Sequence, residues 1–211
     1  MYKCMRYILF LLIAMLQMPL SARGGKADNL LDKVVAGIRA SSPLKMDYSY
    51  NVFDDDGELV QADKGYIYID DSRYALMMDN MKVWCDGTTQ WSYMKDIDEI
   101  YITEADSEEA QNLSPLYIME HYRKDCDASL TDKGDKSLVI LKIDDEENDI
   151  ERVELYISKK ETQLVAMLIY MPGQGYIEVL LDGYTPNCGV GDDAFVCPED
   201  DFLSAEVIDM R

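Results

Sequence analysis

The chain has 211 residues, with 41 acidic against 20 basic side chains and a formal net charge of −21. That surface repels phosphate backbones and argues against simple adhesion to anionic lipid headgroups, so nucleic acid is excluded as a partner. The length suits one domain able to bury a real core, and beyond the N-terminus no apolar run approaches the length of a membrane span.

The N-terminus reads as an export signal. Lys3 and Arg6 form a positive n-region, and Tyr7 to Leu16 is an apolar stretch too short to span a bilayer comfortably. Leu20-Ser21-Ala22 ends in a small residue, which predicts cleavage after Ala22 and a division into a signal, 1–22, and one domain, 23–211. Cys4 precedes the apolar stretch and so cannot be the cysteine of a bacterial lipoprotein signal. The expected product is a soluble, exported monomer in the periplasm. Cleavage removes two positive charges, Lys3 and Arg6, and takes the formal charge from −21 to −23.

Asp28 to Ala40 is predicted helical: Asp28 is a candidate N-cap, and Leu30, Leu31, Val34, Val35 and Ile38 recur at helical spacing until Ser41-Ser42-Pro43. Strands are expected over 44–53, with Met46, Tyr48 and Tyr50 on one side, and over 58–70, 73–79, 82–86, 89–95 and 97–103. Ser114-Pro115 opens a second predicted helix, with Leu116 and Met119 in it and His121, Arg123 and Lys124 in its last turn. Further strands are predicted over 128–131, 136–143, 151–158, 163–171 and 175–184, and Ala194 to Met210 is expected to add two short edge segments. Helix, meander, helix, meander predicts one large antiparallel sheet with helices on one face.

Asp86-Gly87 supplies the positive φ of a tight hairpin between the chain's two tryptophans. With an even loop, Trp84 and Trp91 share a face and Tyr93 joins them; with an odd loop they separate. Such a face can line either a core or a cavity. Met77, Met78 and Met81 cluster just before it, and methionine suits both adaptable ligand surfaces and ordinary core filling.

The catalytic inventory is poor. His121 is the single histidine, no serine sits in a GxSxG elbow, and no cysteine has an activating context, so no catalytic residue is assigned. Asp54-Asp55-Asp56-Gly57-Glu58 resembles a calcium loop but fails its register, and a hairpin turn explains it better. No metal or other cofactor is expected. Of the four cysteines that follow the signal, Cys85, Cys126, Cys188 and Cys197, the last two flank the Gly189-Val190-Gly191-Asp192-Asp193 loop and are a candidate disulfide.

Several motifs in order resemble the LolA family, periplasmic carriers of outer-membrane lipoproteins, and more narrowly its Bacteroidetes branch. They are Leu31-Asp32-Lys33-Val34, the Gly-led strand Gly65-Tyr66-Ile67-Tyr68, the hairpin Asp86-Gly87 to Trp91-Ser92-Tyr93, Ser114-Pro115-Leu116, and the tail Ala205 to Arg211. The resemblance implies a mainly β (α+β) fold: a single strongly curved antiparallel sheet forming a half-open β-barrel, with the N-terminal and middle helices as a lid. It implies an apolar cavity for acylated lipoproteins, received from an inner-membrane ABC exporter and passed to an outer-membrane acceptor that the sequence does not identify. On that reading Leu31, Val34, Ile38, Tyr68, Leu76, Met78, Trp84, Trp91, Tyr93, Leu116 and Met119 are candidate cavity residues. The better-known carriers follow the Gly-led strand with a run whose arginine serves cargo handover. Here the chain reads Asp70-Asp71-Ser72-Arg73, which makes Arg73 a displaced handover candidate. The alternative is a periplasmic lipid-binding or sensing module of the same fold.

Overall fold

The computed structural model describes residues 25–107, 116, 119, 126–143 and 149–211. The predicted signal, most of the middle helix including His121, and the acidic turn at 144–148 lie outside the described residues. The first helix, α1 (Lys26–Ala40), buries Leu31, Val34, Val35 and Ile38 as its spacing predicts. Its start differs from expectation. Gly25 is the N-cap, and Asp28, one turn in, accepts the Gly25 N–H on Oδ2 at 2.9 Å. A carboxylate reaching back to the cap satisfies an end donor and complements the helix dipole.

Eleven of twelve strands form two meanders. The first is β1 (Leu44–Phe53), β2 (Leu59–Asp70), β3 (Arg73–Met77), β4 (Met81–Cys85), β5 (Thr89–Met94) and β6 (Glu99–Glu104). The second is β7 (Asp127–Lys133), β8 (Lys136–Lys142), β9 (Arg152–Ser158), β10 (Leu164–Met171) and β11 (Gly175–Thr185). The last strand of the second meander pairs with the first strand of the first: β11 lies antiparallel along β1 from Lys45↔Thr185 to Phe53↔Tyr176. The result is one open, curved 12-stranded sheet in the order β12-β6-β5-β4-β3-β2-β1-β11-β10-β9-β8-β7. Register shifts at Asp47/Tyr48, Val52/Phe53 and Leu164/Ala166 supply local bends, since an extra residue on one strand increases its twist.

The C-terminal segment forms 3-10 turns at Asp192–Phe195 and Glu199–Phe202 and then β12 (Glu206–Asp209), which pairs parallel with β6. One of the two expected edge segments is therefore a strand. Both faces of the sheet are used. The larger core lies on the helix side, where α1, Leu116 and Met119 pack with Met46, Ile67, Leu76, Val83, Leu155 and Ile157. A smaller core on the outer face joins Ala75, Trp84, Ile100 and Ile102 to Phe195 and Cys197. Leu116 and Met119 are helical and buried.

Candidate functional site

A cavity of about 520 Å³ opens on the helix-side face. That volume falls within the ordinary range for ligand pockets, roughly 300–1,000 Å³. Its wall comes from both meanders, joined at the β1–β11 seam. Strand alternation points Met46, Tyr48 and Tyr50 of β1, Ile67 of β2 and Ile177, Val179 and Leu181 of β11 the same way. Leu76 and Met78 on one side, and Leu164, Met167 and Ile169 of β10 on the other, complete it. Asn80, Met81, Met94, Asp96 and Ile97 border it from the connections around β4 and β5. Five lining residues are methionines (Met46, Met78, Met81, Met94 and Met167), whose unbranched, polarizable side chains let that part of the wall re-pack.

The polar groups are few. Gln61, Asp63, Asn80 and Asp96 are on the lining with the Tyr48 and Tyr50 phenols, and no lysine, arginine or histidine is among the described lining residues. Tyr48 is 5% exposed. Burial, then the charge of Asp63, pushes its hydroxyl well above the usual phenol pKa, so it stays protonated. Gly65 sits opposite Tyr48 in the β1–β2 register. A Cβ there would lie 2.1 Å from the Met77 carbonyl oxygen and 2.8 Å from the Tyr48 oxygen, so only glycine lets the phenol cross β2.

The expected cavity residues divide three ways. Leu76 and Met78 line it. Leu31, Val34, Ile38, Leu116 and Met119 are buried in the adjoining core and are not on the lining. Tyr68, Trp84, Trp91 and Tyr93 lie on the other face. The hairpin arithmetic itself holds: Trp84 pairs directly with Trp91, and Asp86 Oδ1 accepts the Thr88 and Thr89 N–H groups at 2.8 Å to close an even loop. Parity fixes a shared face but not which one. Val83 and Cys85 take the helix side, and the aromatic side is covered by the C-terminal strap.

In that strap Phe202 stands edge-on to Trp84 at 5.6 Å and tilted over Tyr93 at 4.5 Å. Arg73 locks it down. Its guanidinium lies 4.7 Å over the Phe195 ring, donates to Asp192 Oδ1 at 2.6 Å, and donates to Asp70. Ser42 Oγ also donates to Asp70 at 2.7 Å, and this bond and Arg73 hold the Asp70 carboxyl below its ordinary value. Arg73 is thus engaged on the outer face, away from the cavity. Cys188 and Cys197 are free thiols rather than a disulfide; Cys197 is buried beneath the strap, and burial raises its thiol to about 11. Cys85 is also a free thiol.

The sequence pointed to Met46, Tyr48 and Tyr50 only as strand alternation. The β10 and β11 lining residues carried no cavity signal, because β11 meets β1 across more than a hundred residues of chain. Asp54 to Glu58 forms the expected hairpin turn, with Gly57 at φ 78° and Asp54 Oδ1 accepting the Glu58 N–H at 2.8 Å. No helix among the described residues is long and apolar enough to cross a membrane.

A family model described as "Outer membrane lipoprotein carrier protein LolA" matches residues 20–170. No curated protein matches the chain. Among solved structures, an uncharacterized conserved protein from Thermus thermophilus has a TM-score of 0.56 at 10% identity, covering 87% of this chain and 98% of that one. That likeness shows the fold. A LolA superfamily protein from Nitrosomonas europaea has a TM-score of 0.44 at 8% identity, covering 81% of this chain and 97% of that one. LprF from Mycobacterium bovis has a TM-score of 0.44 at 10% identity, covering 82% and 96%.

Proposed function

The chain belongs to the LolA family of outer membrane lipoprotein carrier proteins, and from that premise we propose that it is a non-catalytic periplasmic carrier of acylated lipoproteins. Residues 1–22 act as its export signal. It takes cargo from an inner-membrane ABC exporter and releases it toward the outer membrane. The supporting observation is the methionine-rich apolar cavity on the helix-side face. Each acyl CH₂ moved from water into it contributes about 0.8 kcal/mol, enough for an acyl chain to be held firmly by the trough. Release then needs movement, and α1, packed in one core with Leu116 and Met119, is the element that moves.

Native mass spectrometry of the protein purified from its own periplasm tests this reading. A bound triacylated species is expected, and a consistently empty protein would count decisively against it. Depletion separates a carrier from a sensor. Loss of a carrier mislocalises many lipoproteins at once, whereas loss of a sensor changes the expression of a few genes.

A further inference from the structure

The cavity wall holds two polar atoms that no described residue satisfies. The Tyr48 hydroxyl and Asp63 Oδ2 are both buried and have no hydrogen-bond partner among the described residues, so they are not bonded to each other either. Leaving such groups unpaired costs stability unless something else uses them. Both residues line the cavity. The carboxylate is fixed, because Asp63 Oδ1 accepts the Lys64 N–H at 2.7 Å while Oδ2 is left over. The phenol lies against Gly65, where an added Cβ would come within 2.8 Å of its oxygen. Asp96 adds a second acid to the lining, with no basic side chain among the described lining residues to offset it.

We propose that Tyr48 and Asp63 form a polar recognition point in the apolar cavity, taking an amphiphile whose acyl chain adjoins a neutral hydrogen-bond donor, a hydroxyl or amide N–H. The same point rejects amphiphiles ending in a carboxylate or phosphate. The ligand's donor goes to Asp63 Oδ2, and its neighbouring oxygen accepts from the Tyr48 hydroxyl. An anionic head would instead bring a second negative charge beside Asp63 in a poorly solvated site without a counter-ion. This inference rests on the cavity being an acyl-chain site.

The test compares three ligands with one chain length: 1-monolauroylglycerol, methyl laurate and laurate. Each displaces the uncharged probe N-phenyl-1-naphthylamine from the delipidated full-length protein. Monolauroylglycerol is expected to bind roughly tenfold tighter than methyl laurate, and laurate weakest of the three. Asp63→Asn should shrink the gap between monolauroylglycerol and methyl laurate to about twofold, whereas Tyr48→Phe should weaken both esters alike, since each offers an ester oxygen to the phenol. Equal binding of all three by the native protein, or tightest binding of laurate, overturns the recognition point while leaving the acyl site standing. Failure of the probe and of methyl laurate to bind overturns the acyl site and the recognition point together. The native ranking decides the matter even where a variant fails to fold.

Discussion

Burial sets the chemistry of single side chains here. The Cys197 thiol is raised to about 11 by its place under the strap, so its reactive thiolate at pH 8 is about 100-fold scarcer than for an ordinary cysteine. Native protein should therefore label with a thiol reagent at Cys188 well before Cys197, and denaturation should erase the difference. Alkylation without reductant should find both thiols free. Arg73 is the other decisive residue, because it joins β3 to the strap through Asp192 and Phe195 and to the end of β2 through Asp70. Arg73→Ala should cost about 1–2 kcal/mol and red-shift tryptophan emission, since both tryptophans lie on the strap's side, while cavity binding stays unchanged. Asp70 adds a pH dependence of definite sign. Its carboxyl is lowered by Ser42 and Arg73, so its contribution is complete above the unfolded value of about 3.9 and fades as pH falls through the lower folded value. An acid titration of tryptophan emission should show this step in the native protein and lose it in Asp70→Asn.

Individual elements depend on close approaches and on a docked helix. In β2, Gly65→Ala would drive a Cβ into the Met77 carbonyl oxygen and the Tyr48 phenol. Denaturant melts should show a loss of about 2–3 kcal/mol, the cost of overpacking where backbone cannot yield. Helix α1 is 15 residues long, a length that is marginal in isolation, so it persists by burying Leu31, Val34, Val35 and Ile38. It lies beside β7, one of the sheet's two edge strands. A covalent crosslink between α1 and β7 should leave loaded protein intact but stop release of a fluorescent acyl cargo. Normal release from the crosslinked protein would rule out α1 as the moving part of a lid.

At the scale of the whole molecule the sheet serves two faces at once. The helix side holds the main core and the cavity, and the outer side is a second core completed by residues from the last quarter of the chain. Truncation after Thr185 would uncover Ala75, Trp84, Ile100 and Ile102, each under 10% exposed in the intact chain. An apolar patch of that kind on an open sheet invites association. Sedimentation should show oligomers for the truncated chain and a monomer for the complete one.

The sequence by itself determined the local structure: α1 from its apolar spacing, the strands from alternation and turn residues, and the choice for Trp84 and Trp91, one face or two, that the parity of one hairpin decides. These are short-range properties, set by backbone geometry within a few residues. The ordered motifs also pointed to the family that the match over residues 20–170 shows. Only the tertiary structure decided which face is which. The pairing of β11 with β1 builds the cavity wall from two distant meanders, and the packing of Phe195 and Phe202 claims the tryptophan side for the strap. Periodicity records that two side chains point the same way. What lies opposite them depends on chain that returns from far along the sequence, and no local pattern encodes that return.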